Sequence, residues 1–423
     1  MPVCTVSAPK DSLMRRFPAE WRLIALLWVC YALNHADRQV VYTLFPVLKK
    51  DLAFSDTTLG LIGALFIWVY GLCSPVAGIL GDRFSKARMV AMSLILWSTL
   101  TLLAGASPNG SFLLLCRALL GVSESLFFPA AYALIAAAHG SRTGSRAVAI
   151  FGTSHIVGVA LGGTISGYIG EHYSWRASFW ALGATGLMFA PLLIYFFRRM
   201  PPEFDDSRAR KNSPGFKGFF SLLQVPTLCW ITLYLGVSTF ALYLVGTWLP
   251  SFLGERFHAG LARSAFAASV YPQFGSALGL FCGGWIADRY SSGFKGIRCY
   301  SLVIAMLGAG PCLFLMGMTS EFEITCLAAV AYGFFSGFGI VNQTLATFEV
   351  VPVSKRASAV GMLNLVGSTV SGFAPFLGGL TKRAIGIGRL IEYSALVSAI
   401  VGLMVLYGIY RNYATDREQA DRV

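Results

Sequence analysis

Four ionisable side chains lie inside long apolar stretches of the sequence. Asp37 and Arg38 are found in the first stretch, and Arg117 and Glu124 in the fourth. In a membrane span such residues usually pair with one another and mark the path of an ion or a polar substrate, because each buried charge costs about 2.5–3.5 kcal/mol on insertion scales. Arg117 and Glu124 are about two helical turns apart on nearly one face. Because two acids and two bases carry no net charge, the pattern predicts one internal charged network. The alternative is a structural ion-pair cluster that only fixes helix packing.

The surrounding sequence is suited to a lipid bilayer. Of the 423 residues, 56% are hydrophobic and only 13% are charged. A helix needs about 20 apolar residues to cross the hydrocarbon core, whereas a barrel strand is an alternating segment of about 10 residues. We therefore predict an all-α membrane protein with twelve transmembrane helices, at 21–47, 57–81, 88–106, 110–137, 146–169, 175–198, 225–252, 264–287, 298–318, 322–348, 357–380 and 388–411.

Lys and Arg are distributed unequally between alternate loops. If the N-terminus is cytoplasmic, the inner segments carry 23 of these residues and the outer loops carry 8. The positive-inside rule therefore predicts that both termini are cytoplasmic, and the short loops favour a bacterial inner membrane. The largest polar gap follows the sixth span. It predicts a cytoplasmic N-tail (1–20), a six-helix bundle (21–198), a cytoplasmic linker (199–224), a second six-helix bundle (225–411) and a cytoplasmic C-tail (412–423).

The two predicted bundles share sequence motifs at nearly equal offsets. Gly78-Ile-Leu-Gly-Asp82-Arg83 closes the second span, and Gly284-Trp-Ile-Ala-Asp288-Arg289 closes the eighth. Arg146 opens the fifth span, and Arg356 opens the eleventh. Such duplication is typical of transporters in which the substrate binds between two repeats, near the middle of the membrane.

With these motifs the sequence resembles the major facilitator superfamily over essentially its whole length. The resemblance implies a fold of two pseudo-symmetric six-helix bundles that gives alternating access to one site. It also implies a latch, in which Asp82 and Asp288 cap the helices that begin near Arg356 and Arg146 and close the inner gate. We therefore expect gating roles for Asp82, Arg83, Asp288, Arg289, Arg146 and Arg356.

The first and fourth spans carry a narrower resemblance. Asn34-His35-Ala36-Asp37-Arg38 and the Arg117-x6-Glu124 spacing are similar to motifs of the anion:cation symporter branch, which carries sugar acids and related organic anions, commonly with protons. The resemblance makes Asp37 and Glu124 candidate proton carriers, and Arg38 and Arg117 candidate anion contacts. His35 stands where that branch usually has Tyr. The spinster-like branch, which handles lipids or amphiphiles, has similar charged residues in these helices.

The second half offers uncharged polar groups in its predicted spans. Hydroxyl and amide groups that converge with aromatic rings suit a polyhydroxylated solute. Together with Asn34 and His35 in the first span, the candidate substrate contacts of this kind are Tyr243, Gln273, Asn342, Gln343 and Asn364. For each of them a helix–helix hydrogen bond is the alternative. His155 in the fifth span is a further titratable residue, for which hydrogen-bonded packing is the alternative.

These patterns favour a secondary active transporter, a proton-coupled symporter of a small organic anion such as a sugar acid or carboxylate. The alternative is an exporter of lipids, amphiphiles or drugs with the same fold. The nine scattered cysteines form no metal-binding spacing, and the sequence has no nucleotide-binding or catalytic motif. We therefore expect no enzymatic activity, no cofactor, no metal and no nucleic-acid partner, although the net charge is +13. The expected partners are the solute, protons and the lipid bilayer, and we expect a functional monomer.

Overall fold

The computed structural model describes residues 18–139, 143–205, 222–291, 293–352 and 355–422, without the side chains of residues 79, 81–83, 145, 357, 421 and 422. The described residues form helices and connecting turns, and no β-strand occurs among them. A short 3₁₀ helix covers Pro202–Asp205. The α-helices are α1 (Ala19–Thr43), α2 (Phe45–Asp51), α3 (Asp56–Arg83), α4 (Lys86–Gly105), α5 (Gly110–Ser125), α6 (Phe127–Ala138), α7 (Gly144–His172), α8 (Trp175–Arg199), α9 (Pro226–Phe257), α10 (Leu261–Tyr290), α11 (Ile297–Met318), α12 (Phe322–Val350) and α13 (Arg356–Arg422).

Four of the twelve membrane crossings have boundaries that the sequence did not indicate. The first crossing breaks at Leu44, between α1 and α2, where Pro46 occupies the first turn of α2. The fourth breaks at Leu126, between α5 and α6, because the ring of Pro129 cannot pack against the carbonyl of the residue four positions earlier. The last two crossings form α13, which turns at Gly386 with a φ of +80°, a conformation that favours glycine.

The first half of the molecule (α1–α8) and the second half (α9–α13) pack against each other at one end. We call the end at which α1 begins and α13 ends the tail end, and the opposite one the far end. Toward the far end, glycines let helices of the two halves approach closely. A Cβ atom at Gly60 of α3 would clash with the carbonyl of Pro375 in α13, and one at Gly167 of α7 would clash with Ala265 of α10.

The same helices separate toward the tail end. Apart from the neighbouring backbone of the same helix, no atom of the described residues lies within 4 Å of the position that a Cβ would take at Gly78 of α3, Gly152 of α7 or Gly361 of α13. The molecule is therefore closed between its halves at the far end and open between them at the tail end.

At the tail end, each half has a carboxylate that caps the N-terminus of one of its helices. Asp205 follows α8 and accepts hydrogen bonds from the backbone N–H groups of Lys86 (2.7 Å) and Ala87 (3.3 Å) at the start of α4. In the second half, the Asp416 carboxylate accepts a bond from the Thr227 N–H (2.7 Å) at the start of α9. Each bond satisfies a backbone donor that the helix itself leaves unpaired.

The expected tail at 412–423 is a continuation of helix α13 as far as Arg422. Its buried face explains the difference, because Tyr413 and Asp416 are 7% and 5% exposed. The Tyr413 hydroxyl donates to the Glu349 carboxylate of α12 at 2.8 Å. The segment is thus held to the second half by packing and hydrogen bonds that a count of apolar residues does not reveal.

We expect the Asp416→Ala substitution to lower the free energy of unfolding by about 1 kcal/mol, because α9 loses its only side-chain cap among the described residues. Thermal unfolding of the purified protein in detergent measures this change. Arg411→Ala, which removes an exposed bond to Tyr407 near the same end, is the control and should change little. Equal stability of the two variants would contradict the capping role.

Candidate substrate and proton site

The charged network lies in the first half, between α1, α3 and α5. Arg38 Nε donates to Glu124 Oε2 at 2.7 Å, and the Glu124 side chain is fully buried. The Arg38 guanidinium lies over the rings of Tyr70 (4.6 Å) and Phe66 (5.1 Å). Hydrogen bonding and ring contacts therefore fix the arginine on two sides. The two helices that the sequence singled out meet in this ion pair.

Arg117 lies deeper and is fully buried. Its guanidinium is 4.7 Å from the ring centre of Phe66 and within electrostatic range of both Glu124 and Asp37. None of its three nitrogen atoms has a hydrogen-bond partner among the described residues. A buried guanidinium offers five N–H donors, and leaving them unpaired is costly. The N–H donors of Arg117 are therefore not used by any of the described residues.

Asp37 has a hydrogen-bond partner that the sequence did not predict. The Thr101 hydroxyl of α4 donates to Asp37 Oδ2 at 2.9 Å, and both residues are buried. The second carboxylate oxygen has no partner in the described part of the chain. Asp37 is therefore oriented by α4, while Glu124 is paired with Arg38. The two candidate proton carriers occupy different surroundings within one network.

Two further candidates from the first span lie beside these charges. Asn34 is buried next to Glu124, and neither polar atom of its side chain has a hydrogen-bond partner among the described residues. His35 faces His155 of α7, with ring centres 4.2 Å apart and the nearest nitrogen atoms 3.2 Å apart. The two histidines therefore form a pair between α1 and α7, the helix of the fifth crossing.

The second half reaches this network through Tyr243 of α9. Its hydroxyl group lies within interaction range of the Arg38 guanidinium. At the position directly after Arg38, Gln39 Nε2 lies 3.5 Å from both the Gly246 carbonyl oxygen of α9 and the Ser269 hydroxyl oxygen of α10. Gln39 was not among the sequence candidates. These contacts place the charged network where the two halves meet.

The remaining polar candidates of the second half do not share one location. Gln343 lines a cavity of about 40 Å³ inside the second half, together with Tyr234 and Thr239. Gln273 of α10 is half-buried, and its side-chain oxygen has no partner among the described residues. Asn364 of α13 is exposed.

Asn342 makes the helix–helix hydrogen bonds that were the alternative to a substrate contact. Its side-chain nitrogen donates to the Gly283 carbonyl of α10 (3.2 Å) and to the Phe338 carbonyl (3.0 Å) within α12. The residue is 1% exposed, so its donors are used and shielded. We assign Asn342 to helix packing.

Among the described residues, two groups of the expected inner latch have their partners within their own half. Asp288 pairs with Arg298 of its own half at 3.2 Å, and Arg356 donates to the Phe348 carbonyl at 3.0 Å. Arg146 and Arg289 are exposed. The side chains of Asp82 and Arg83 lie outside the described residues, and the latch stays a prediction.

Thr101→Val is expected to lower the transport rate about fivefold, because a side-chain hydrogen bond of about 1 kcal/mol then no longer orients Asp37. Thr101→Ser keeps the hydroxyl and should retain most of the activity. Initial uptake rates in liposomes, normalised to folded protein, measure both variants. Full activity of the valine variant would show that Asp37 does not need this bond.

Taken together, the fold and the site define a polytopic membrane transporter: two bundles of helices that meet around buried charges and are open at one end. The sequence model of the Major Facilitator Superfamily matches residues 27–375 and 270–422 of the chain. The chain belongs to this superfamily, and its architecture of twelve transmembrane helices in two six-helix bundles is as predicted.

Similar proteins include a probable sugar-acid transporter and a spinster homolog. A probable galactarate/D-glucarate transporter of Bacillus subtilis is 22% identical over 96% of both chains. Spinster homolog 1 of Xenopus tropicalis is 26% identical over 90% of this chain and 78% of its own. The crystal structure of a bacterial homolog of the human lysosomal transporter spinster, in an inward-facing and unoccupied conformation, has a TM-score of 0.80 at 18% identity and covers 95% of this chain and 98% of its own. That similarity concerns the fold.

Proposed function

We propose that the protein is a proton-coupled symporter of a small organic anion, such as a sugar acid or carboxylate, in a bacterial inner membrane with both termini in the cytoplasm. It works by alternating access, so the opening at the tail end faces the cytoplasm in this state. The substrate site lies between the halves, at Arg38 and Arg117, with Asn34, His35 and Tyr243 beside them.

The observation that carries this proposal is Arg117. A fully buried guanidinium without hydrogen-bond partners among the described residues lowers the stability of the fold, which argues against a role in packing alone. A carboxylate is its natural complement, because the planar N–H groups of arginine match two carboxylate oxygens. The nearby acids keep the site neutral overall until a substrate arrives.

Proton coupling follows from competition for Arg38. In the empty site Arg38 holds the Glu124 carboxylate at 2.7 Å. An arriving anion accepts the hydrogen bonds of Arg38, and Glu124 is left without a cation inside a low-dielectric site. A buried carboxylate in that position binds a proton, which removes the charge that opposes reorientation of the halves. The anion and the proton then cross together.

The similarity to a probable galactarate/D-glucarate transporter supports sugar acids as the first class to test. Their carboxylates suit the arginines, and their hydroxyl groups suit the amide and phenol groups of Asn34 and Tyr243. The similarity to spinster homolog 1 supports the alternative, an exporter of lipids or amphiphiles. That alternative predicts that transport does not depend on Arg38 or Arg117.

The test is a thermal-shift screen of the purified protein against sugar acids, sugar phosphates, other carboxylates and lysolipids. Uptake of each hit into liposomes, with and without a pH gradient, follows. We expect stabilisation by a sugar acid or carboxylate and accumulation driven by the gradient. Stabilisation by lysolipids alone, or uptake that ignores the gradient, would contradict the proposal.

A further inference from the structure

The far end carries a cluster of five charged residues that lie outside the predicted spans. At its centre, Asp56 opens α3, and its side chain is 4% exposed. Lys49 Nζ, from α2 of the same half, lies 2.7 Å from one carboxylate oxygen and 2.8 Å from the other. Lys382 Nζ and Arg383 Nε, from α13 of the other half, lie 3.4 Å and 3.9 Å from the carboxylate. Asp56 is thus held by cations from both halves.

The cluster continues within the second half. Lys382 Nζ is also 2.5 Å from Glu255 Oε1, near the end of α9. Lys382 therefore bridges an acid of each half, and its side chain is only 11% exposed. The backbone supports this contact, because Gly379 of α13 packs so closely on the Asp56 carbonyl that a Cβ would clash with it.

A layer of aromatic side chains lies next to the cluster. Trp248 of α9 is fully buried, and its indole N–H donates to the Pro375 carbonyl of α13 at 3.1 Å. Its ring centre is 5.2 Å from that of Phe45 of α2, across the boundary between the halves. Lys382 Nζ lies 5.2 Å from the Trp248 ring centre. The ionic layer and the aromatic layer are therefore in direct contact through one lysine.

The pairing allows the halves to separate without leaving a bare charge. If α13 moves away from α3, Asp56 keeps Lys49 of its own half, and Glu255 keeps Lys382 of its own half. Only the contacts of Asp56 with Lys382 and Arg383 are lost. Breaking a buried ion pair is strongly destabilising when one partner is left alone. Because each acid keeps a lysine of its own half, the free-energy cost of separating the halves is low.

We propose that Asp56 and Lys382, with Trp248 and Phe45 beside them, are the gate that closes the far end of the transport path. The ionic bridge sets the balance between the two states, and the aromatic layer excludes water while the gate is closed. A contact that exists in only one of two states shifts their populations by its own free energy when it is removed. This assignment does not depend on which substrate is carried.

The test is the distance between spin labels at Tyr173 and Ser320, at the far end of the first and the second half, measured by pulsed EPR in a cysteine-free background. Both positions are exposed. Lys382→Met removes the bridge and keeps the length of the side chain. Arg263→Met is the matched control, because its ion pair with Glu323 (3.0 Å) also lies at the far end but joins α10 and α12 of one half.

We expect Lys382→Met to raise the fraction of molecules with the longer distance about fivefold, and Arg263→Met to leave it unchanged. Asp56→Asn leaves every lysine in place, and we expect it to shift the distribution in the same direction. It also serves if the methionine variant does not fold. Unchanged distributions in both gate variants, or an equal shift in the control, would overturn the proposal.

Discussion

Replacing Glu124 with glutamine is expected to abolish accumulation of the substrate anion against its gradient, while exchange of labelled for unlabelled anion remains measurable. Glutamine can still accept a hydrogen bond from Arg38, so the contact that Arg38 Nε makes with Glu124 Oε2 at 2.7 Å can be retained. It cannot change its protonation, and the site then lacks the group that binds and releases a proton with the anion. Uptake into liposomes with an imposed pH gradient, and counterflow without one, separate the two activities.

The control for this variant is Glu323→Gln. Glu323 is an exposed acid at the far end, and it pairs with Arg263 away from the charged network. It should behave as the unmodified protein in both assays. Full accumulation by the Glu124→Gln variant would remove Glu124 from the coupling mechanism.

Arg117→Ala is expected to weaken anion binding about thirtyfold or more, or about 2 kcal/mol, because a buried charge that holds the ligand is removed. Arg38→Ala should weaken binding as well and should also disturb coupling, because it leaves Glu124 without its partner. Affinity is measured by titration of the purified protein with the best anion of the screen.

Arg176→Ala is a suitable comparison for the arginine variants. Arg176 donates to the Ser107 carbonyl at 3.2 Å, near the far end and within the first half. Its loss should affect stability more than affinity. Affinity like that of the unmodified protein in both Arg38→Ala and Arg117→Ala would contradict recognition of the anion by arginine.

The sequence indicated the charged network because charges inside apolar stretches are rare and costly. Their types were sufficient to predict one internal network of four charged groups, but not which groups would pair; the structure shows that Arg38 pairs with Glu124. Thr101 and Gln39 could not be singled out in this way. A hydroxyl or an amide in an apolar span is common, and only the three-dimensional arrangement shows that Thr101 meets Asp37 and that Gln39 meets the second half.

The far-end cluster was missed for a different reason. Lys49, Asp56 and Lys382 lie at helix ends, where charges usually contact water, and their partners are distant in sequence. The low exposure of Asp56 and Lys382 results from the packing of α13 against α3, which the sequence does not show. The helix breaks at Leu44 and Leu126 were missed because Pro46 and Pro129 lie within continuous apolar runs, and hydropathy does not register a lost hydrogen bond.

In the proposed mechanism, the anion and the proton bind to one network through shared arginines. Calorimetric titration with the tightest-binding sugar acid, in two buffers of different ionisation enthalpy at one pH, measures whether a proton is taken up with the anion. We predict that the binding enthalpy differs between the buffers, because the protein takes up a proton with the anion, and that Glu124→Gln greatly reduces this difference. Equal enthalpies in both buffers for the unmodified protein, with an affinity that does not change with pH, would contradict the account.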